Sequence, residues 1–353
     1  MRKSRNVSIL PVLTAVLVLV TSCYEDDISS QPTDPVLPPE IVPLSPQVSY
    51  SICCGPNSVC SADFNGDGVY DLATANSNTN DVSILSGNGD GTFGDHIKFG
   101  TAYCPSLIDC SDFDGDGNTD LVTADFDSDC ISVLLGNGDG TFDAAVSYGT
   151  SNGPRAVYSA DFNGDLVPDL VVANALSDNL SVLLGNGDGT FSEADSLPVD
   201  NYPSSVVACD MNGDGNQDLI APNGYDVTVR VQVGYGDGTF DDPISYLSEI
   251  DPYSVHADDF DSDGNMDLAI ASVNHVLIEV WMGSEDGTLT YSDYYSAGDG
   301  PSSICSGDLD GDGDIDLAVS NWKSLFVVIL LGDGSGTFLP SAKYRAGDGG
   351  MAV

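Results

Sequence analysis

The stretch Asp63-Phe-Asn-Gly-Asp-Gly-Val-Tyr-Asp71 is the first of six acidic loops that recur along the chain at a constant step of 49 residues. The later copies begin and end at Asp112 and Asp120, Asp161 and Asp169, Asp210 and Asp218, Asp259 and Asp267, and Asp308 and Asp316. Self-similarity at a fixed period of about 20 to 50 residues indicates a repeat architecture, in which each unit is one supersecondary motif. The 49-residue period therefore decides the fold.

Oxygen-bearing side chains stand at alternate positions of each loop, with Asp or Asn at positions 1, 3 and 5 and Asp at position 9. Ca²⁺ takes six to eight oxygen ligands from tightly turned loops of this kind, and position 7 can add its backbone carbonyl. Glycine at positions 4 and 6 permits the sharp reversal. We predict about six calcium sites. Their ligands are Asp63, Asn65, Asp67, Val69, Asp71, Asp112, Asp114, Asp116, Asn118, Asp120, Asp161, Asn163, Asp165, Val167, Asp169, Asp210, Asn212, Asp214, Asn216, Asp218, Asp259, Asp261, Asp263, Asn265, Asp267, Asp308, Asp310, Asp312, Asp314 and Asp316.

A solvated turn and a helical calcium-binding loop are the two alternative interpretations of these loops. A single loop of this composition is as easily a solvated turn that binds nothing, but six copies in strict register favour metal binding. A helical EF-hand closes its loop with a bidentate Glu at position 12. Position 12 is here Thr74, Thr123, Val172, Ala221, Ile270 and Val319. The Asp at position 9 must therefore close each site, and a strand follows it.

The composition is that of an acidic, turn-rich all-β protein. The 353 residues include 39 Gly and 18 Pro, and nine Lys and Arg stand against 55 Asp and Glu. This balance excludes nucleic acid as a default partner and disfavours binding to anionic membrane surfaces, so any membrane attachment would be through a lipid. The six loops alone hold 21 carboxylates at positions 1, 3, 5 and 9. Six bound Ca²⁺ ions would offset 12 of those charges.

The first part of the chain reads as an export signal. Basic residues precede an apolar run from Val7 to Val20, which is too short for a comfortable membrane span. The run ends at Cys23 and resembles the lipobox of bacterial lipoproteins, which predicts a cleaved signal over residues 1–22 and lipidation of Cys23; an ordinary secretory signal is the alternative. Residues 23–46 form a Pro-, Ser- and acid-rich tether. We expect an outer-membrane or cell-surface lipoprotein, and the choice between a periplasmic and a surface-facing anchor stays open, as does the pairing of the eight remaining cysteines.

Each repeat has the pattern of four short strands. In the third, Ala160-Asp-Phe-Asn-Gly-Asp-Leu-Val-Pro-Asp-Leu-Val-Val-Ala-Asn174 is followed by Leu180-Ser-Val-Leu-Leu-Gly-Asn-Gly-Asp-Gly-Thr-Phe191. A Pro precedes the first strand, and an aromatic or Leu after the second turn is expected to pack between neighbouring repeats. The repeats cover about 52–100, 101–149, 150–198, 199–247, 248–296 and 297–345, with a remnant at 346–353.

These motifs resemble the FG-GAP and VCBS-type repeats, which are the blades of integrin-α-like calcium-binding propellers. The resemblance covers about residues 47–353, because loop, turn and Pro recur together there. It implies an all-β fold, a β-propeller of four-stranded blades with six complete 49-residue repeats and a possible partial seventh blade; a fragment of a seven-bladed protein is the alternative. Leu166 and Ser262 replace loop glycines, so the third and fifth sites are expected to bind Ca²⁺ less tightly.

Alternating strand directions place the calcium loops on one face and the Pro loops with the second-to-third connections on the other. The calcium loops hardly vary between repeats, whereas the opposite connections do, and divergent loops on a repeated scaffold are free to bind. We predict an adhesion or binding module for a surface glycan or protein, acting as a monomer. Its candidate contact residues are Tyr103, Phe126, Tyr202, Tyr225, Tyr253 and Trp322.

Two other classes remain open, a structural surface protein without a specific ligand and a polysaccharide-active enzyme. We expect no enzyme, because the only histidines are His96, His256 and His275 and because HExxH and GxSxG motifs are absent from the sequence.

Overall fold

The structure, a computed structural model, describes residues 20–21, 50, 55–324, 326–345 and 350–352. Each 49-residue repeat forms one antiparallel sheet whose four strands follow in chain order. The strands are, blade by blade, Pro56–Ala62, Asp71–Asn76, Asp81–Gly87 and Phe93–Gly100; Pro105–Ser111, Asp120–Asp125, Cys130–Leu134 and Val146–Gly149; Pro154–Ala160, Asp169–Asn174, Asn179–Leu183 and Asp195–Pro198; Val207–Cys209, Asp218–Asn223, Thr228–Gln232 and Ile244–Leu247; Ser254–Asp258, Asp267–Ala271, Leu277–Met282 and Thr290–Ser296; Pro301–Gly307, Asp316–Asn321, Phe326–Gly332 and Phe338–Arg345.

The six sheets form a ring. Neighbouring sheets contact each other mainly through their first strands, so these strands lie nearest the ring axis and the fourth strands form the rim. The second strands are buried at every position, for example in Asp120–Asp125 and Asp169–Asn174. Runs of Leu, Val and Ala suit strands that are covered on both faces. The all-β propeller with six complete four-stranded blades is confirmed.

An aromatic pair joins four of the six blades to the next one on the calcium-loop face; the fourth and sixth loops have Met211 and Leu309 in place of the loop aromatic. Phe64, at position 2 of the first loop, meets Phe142 after the second turn of the next blade, edge to face with ring centroids 5.6 Å apart. Phe113 and Phe191 repeat this contact at 5.5 Å. The backbone of Gly140 also donates a 2.9 Å hydrogen bond to the carbonyl of Phe64. The predicted packing between repeats is confirmed, and its partner is the loop aromatic, which the sequence analysis did not assign.

The junction between the sixth and first blades holds two short pieces of chain. Gly350–Ala352 lies against the first strands of both blades and begins one repeat length after Pro301, where a seventh first strand would begin. It pairs antiparallel with Val20–Thr21, which belong to the predicted signal. Tyr50 accepts a 2.8 Å hydrogen bond from the Phe93 backbone N–H and packs edge to face on its ring. Of the possible partial seventh blade, the described residues show only the short strand Gly350–Ala352 and Tyr50; the pairing of this strand with Val20–Thr21 was not predicted from the sequence.

Side chains of neighbouring first strands pair across the blade junctions near the axis. Asp109 accepts a 2.8 Å hydrogen bond from the Ser159 hydroxyl, and His256 lies 2.8 Å from the Ser306 hydroxyl. Cys60 stands at the equivalent position against the Cys110 thiol. That thiol and then burial raise the pKa of Cys60 well above its usual value. Six free cysteines are present among the described residues; Cys53 and Cys54 lie outside them, as do Cys23 and most of the predicted signal and tether.

Within the described ranges, no helix is long and apolar enough to cross a membrane.

One buried carboxylate stands where other blades have an amide. Asp125 ends the second strand of its blade and is fully buried, and the equivalent residues in the first and third blades are Asn76 and Asn174. The Asn76 amide donates a 2.9 Å hydrogen bond to Ser83 on the next strand, and the Asn174 side-chain amide lies 2.9 Å from the equivalent Ser181 hydroxyl, from which its oxygen accepts. Burial raises the pKa of Asp125 to about 6, although hydrogen bonds from Ser132 and Thr123 oppose the rise.

We expect Asp125→Asn to stabilise the protein by about 3 kcal/mol at pH 7.5, since the pKa of Asp125 is raised by about two units and one pKa unit corresponds to about 1.4 kcal/mol. The folded pKa lies above the unfolded value of about 3.9, so the folded wild type loses stability as the pH rises through about 6. The gain should therefore shrink towards pH 4.5, which thermal melts of both proteins across this range would measure. A gain that does not change with pH would contradict the expectation.

Candidate functional site

Each acidic loop is folded by its own carboxylates. In the second loop, Asp112 accepts hydrogen bonds from the backbone N–H groups of positions 4 and 6, at 2.7 and 2.9 Å. Asp114 accepts from position 5 at 3.1 Å, and Asp116 accepts from position 7 at 2.8 Å. The other loops repeat most of these bonds, as in the first loop at positions 4, 6 and 7. The side chains at positions 1, 3 and 5 are thereby turned towards the inside of the loop.

The Asp at position 9 ties its loop to the second turn of the same blade. In all six blades one of its oxygens accepts a hydrogen bond from the backbone N–H of position 2, and the other accepts one from the backbone N–H of a glycine 16 residues further along. Asp120, for example, accepts from Phe113 at 2.8 Å and from Gly136 at 2.7 Å. Burial, with smaller contributions from Asp114 and Asp112, raises the pKa of Asp120 to about 6. A buried carboxylate beside other carboxylates is a costly arrangement that a cation would relieve.

Carboxylates gather closely enough to hold one ion in three of the loops. Ligand oxygens lie within 4.8 Å of one another in three groups, namely Asp112, Asp114 and Asp120; Asp259, Asp261 and Asp263; and Asp308, Asp310 and Asp316. The first, third and fourth loops have Asn at position 3, so they contain fewer carboxylates although they still offer an amide oxygen. Hard oxygen donors in a tight loop suit Ca²⁺. The groups of the second and sixth loops include the Asp at position 9, whereas the group of the fifth loop includes the Asp at position 5 and not the one at position 9.

Two loops contain a strained residue in place of glycine. Leu166 at position 6 of the third loop has φ 67°, and Ser262 at position 4 of the fifth has φ 60°. Leu166 still donates its backbone N–H to Asp161 at 2.9 Å, so the loop keeps its shape. The left-handed conformation costs about 1 kcal/mol or more for a residue with a Cβ. The strain gives a physical reason for the weaker third and fifth sites expected from the sequence.

We expect Leu166→Gly to raise the stability by about 1 kcal/mol and to tighten Ca²⁺ binding at the third loop, because glycine removes the strain without changing the ligands. Thermal melts and calorimetric Ca²⁺ titration would measure the two effects. Leu176→Gly is the matched control, since this leucine is also exposed and its φ is not positive. Equal destabilisation by both changes would contradict the expectation.

On the opposite face, the structure brings together three of the six candidate contact residues. Tyr202 and Tyr225 stack at 4.6 Å between ring centroids. Tyr253, from the next blade, joins them through Arg155, whose guanidinium carbon lies 5.7 Å from the Tyr202 ring centroid and 4.9 Å from that of Tyr253. We call Arg155, Tyr202, Tyr225 and Tyr253 the Arg–Tyr cluster.

The three other candidates are on the same face but have no contact with the Arg–Tyr cluster among the described residues. Tyr103 is exposed, Phe126 is half-buried, and Trp322 carries Lys323 over its ring at 5.4 Å. The central residue, Arg155, was missed by the sequence analysis. Its signal was present: Arg155 follows the repeated Pro, where the second, fourth and sixth repeats have Ser.

The histidine nearest the axis donates its hydrogen bond to a serine. Ser306 donates its single hydroxyl proton to Asp258, so His256 Nε2 donates to the Ser306 oxygen rather than accepting from it. Burial lowers the pKa of His256, which keeps the ring neutral. A serine that hydrogen-bonds in this direction is not activated by its histidine.

The comparisons with known proteins agree with the fold. Residues 112–172, 167–221 and 259–319 match the model of the FG-GAP-like repeat, and residues 55–92 match that of the FG-GAP repeat. Among curated proteins, no sequence matches the chain significantly.

Three solved structures illustrate how widely this fold is shared. An Agrocybe aegerita lectin, described as recognising non-reducing terminal N-acetylglucosamine, is 20% identical with a TM-score of 0.57, over 81% of this chain and 79% of the lectin. A Lactobacillus plantarum protein is 14% identical with a TM-score of 0.67, over 86% and 89% of the two chains. The periplasmic gluconolactonase of Pseudomonas aeruginosa is 13% identical with a TM-score of 0.67, over 86% and 88%. At these identities the likeness concerns the fold alone.

Proposed function

Because the chain belongs to the FG-GAP repeat β-propeller proteins, we propose that it is a calcium-stabilised extracellular module that binds a surface glycan or protein through the face opposite its acidic loops. In this proposal about six Ca²⁺ ions occupy the loops and stabilise the scaffold. The chain carries out no reaction of its own. It acts as a monomer held by a lipid on Cys23 at a bacterial outer membrane or cell surface.

The single observation that carries the binding role is the convergence of Tyr202, Tyr225 and Tyr253. They come from the variable loops of two neighbouring blades and meet around one cation. Binding sites typically combine aromatic surface with a few convergent polar groups. The acidic face instead repeats the same internal hydrogen bonds in every blade, which suits a structural role. The recognition of a sugar by the lectin supports a glycan as the first ligand class to test.

Calcium fits the loops because every donor is an oxygen and because three loops bring three carboxylates close together. Each loop also contacts the second turn of the next blade in most of the ring, as Phe113 does with Gly189 at 3.1 Å. Holding the loop therefore also holds the blade junction. This couples the proposed ions to the stability of the binding face.

A glycan array probed in 2 mM Ca²⁺ tests the proposal. We expect a set of bound glycans whose binding is lost when Tyr202, Tyr225 and Tyr253 are all replaced by Ala. Tyr294→Ala is the matched control, because this tyrosine is exposed on an outer strand far along the blade from the cluster. An array without any bound glycan, or binding that survives the triple replacement, would overturn the glycan-binding role.

A further inference from the structure

The first residue after the repeated Pro occupies an equivalent place at the axial end of every blade. In the second and fourth blades it is a serine, and Ser106 and Ser204 donate hydrogen bonds to the backbone of the following blade, at 2.8 Å to Arg155 and 2.7 Å to Tyr253. In the third and fifth blades the same place holds the large side chains of Arg155 and Tyr253. Arg155 and Tyr253 therefore replace the small serine that forms the hydrogen bond between blades at this position in the second and fourth blades.

Arg155 and Tyr253 meet although a whole blade separates them along the ring. The Arg155 Nη2 donates to the Tyr253 hydroxyl, and Nη1 donates to the Tyr202 hydroxyl at 3.1 Å. First strands two blades apart can touch only near the ring axis. The Arg–Tyr cluster therefore lies at the mouth of the central channel, on the face opposite the acidic loops.

The backbone of Tyr202 is strained in the way that functional sites often are. Tyr202 has φ 62°, the equivalent residues Gly55, Gly153 and Gly300 have φ between 67° and 78°, and the equivalent Cys104 has φ 59°. Glycine takes this conformation freely, whereas a residue with a Cβ loses stability in it. A tyrosine retained at a glycine position points to a function for its side chain.

Among the described residues, no carboxylate neutralises the charge of Arg155. The ion pairs of the described residues are Lys98 with Asp81 and Arg230 with Asp200, so no described carboxylate pairs with the half-buried Arg155. This happens in a chain with 55 acidic residues and nine basic ones. Two of its five N–H groups reach tyrosine hydroxyls, and the other three have no partner within the described part of the chain. A planar guanidinium with free donors is suited to a carboxylate.

We infer that the Arg–Tyr cluster binds a sugar that carries one carboxylate, at the end of an otherwise neutral glycan. The Arg155 guanidinium holds the carboxylate, and the exposed ring of Tyr225 covers the apolar face of the sugar. This inference rests on the proposed glycan-binding function and names its ligand class. A single carboxylate is specified because the formal net charge of −46 repels polyanions at long range.

The test measures binding to matched pairs of neutral oligosaccharides that end in glucuronic acid or glucose, and in galacturonic acid or galactose, in 2 mM Ca²⁺ and physiological salt. Charge-assisted hydrogen bonds contribute about 1.5 to 3 kcal/mol, so the acid-ended member should bind about 10- to 100-fold more tightly. Arg155→Gln should abolish this difference. Arg155→Lys should keep only part of this difference, because lysine keeps the positive charge but lacks the planar guanidinium that can donate two parallel hydrogen bonds to a carboxylate.

Tyr202→Gly keeps the test valid if Arg155 variants fold poorly. It removes the side chain and the backbone strain together, so the melting temperature should stay the same or rise while the affinity falls at least tenfold. Tyr294→Ala should change neither. A role of Tyr202 in folding alone would lower the melting temperature and leave the affinity of the folded protein unchanged, which would overturn the inference.

The remaining outcomes separate the two proposals. Equal binding of both members of a pair, with Arg155→Gln unaltered, would overturn this inference and leave the glycan-binding function intact. Tighter binding of polygalacturonate than of the acid-ended oligosaccharides would contradict the single carboxylate. Binding confined to peptides with a free C-terminus would replace the sugar by a protein ligand. If none of these oligosaccharides binds, this inference fails, and the glycan array in 2 mM Ca²⁺ decides separately whether the glycan-binding function fails as well.

Discussion

Removing divalent cations with excess chelator is expected to lower the melting temperature of the protein by roughly 5 to 30 °C. At about 0.1 to 1 mM affinity and about 1 mM Ca²⁺, each site adds roughly 0.4 to 1.4 kcal/mol, and six sites together add about 2 to 8 kcal/mol. A change of 1 kcal/mol shifts the melting temperature of a domain of this size by about 2 to 4 °C. The chelated protein also keeps its full carboxylate repulsion, which acts in the same direction.

Calorimetry with and without chelator measures this shift, and elemental analysis counts the bound metal. Restoring Ca²⁺ should recover the original melting temperature. Mg²⁺ at the same concentration should recover much less of it, because Mg²⁺ demands octahedral geometry and gives up its waters reluctantly. An unchanged melting temperature in chelator, together with metal-free protein, would refute calcium stabilisation.

The second large effect is expected for Gly136→Ala. A Cβ at this glycine would lie 2.3 Å from the backbone carbonyl oxygen of Thr119, directly before the last Asp of the loop. Backbone cannot give way as a flexible side chain can, so the clash should cost about 3 kcal/mol and lower the melting temperature by roughly 10 °C. The Gly136 N–H also donates to Asp120 at 2.7 Å, so a displaced glycine should weaken Ca²⁺ binding at the second loop.

Gly149→Ala is the control in the same blade. Gly149 ends the fourth strand, and no atom lies within 4 Å of the Cβ that alanine would add. This change should alter stability by less than about 0.5 kcal/mol. Thermal melts and Ca²⁺ titrations of both variants test the argument, which fails if the two glycines tolerate alanine equally well.

The repeat made most of the fold predictable. A constant step of 49 residues fixes the equivalence of every loop, turn and strand, so one interpreted unit describes all six. The Asp at position 9 illustrates this, since its predicted place between loop and strand is the same in each blade. The sequence alone did not show that its two oxygens would bridge the loop and the second turn. That contact joins atoms 16 residues apart, and it depends on how the strands pair.

The Arg–Tyr cluster was only partly predictable, for a geometric reason. Tyr202, Tyr225 and Tyr253 could be assigned to one face from strand direction alone. Their meeting with Arg155 requires the radius of the ring, because Arg155 and Tyr253 are 98 residues apart and touch only where the first strands converge. The repeat length and the order of the strands do not determine the radius of the ring. A comparison of equivalent positions, which shows Arg155 where neighbours have Ser, was the available signal.

The ring is also unequal around its circumference. The loops of blades one, two, three and five receive a backbone hydrogen bond from the turn of the following blade, whereas the carbonyls of Met211 in the fourth and Leu309 in the sixth receive none from the described residues. The side chain of Met211 is nevertheless buried against the following blade. Leu309 is also less buried than Phe64 or Phe113. When the protein is heated or loses its ions, the junction between the sixth and first blades should therefore separate first. The ring should then open at this point while the other five junctions stay closed.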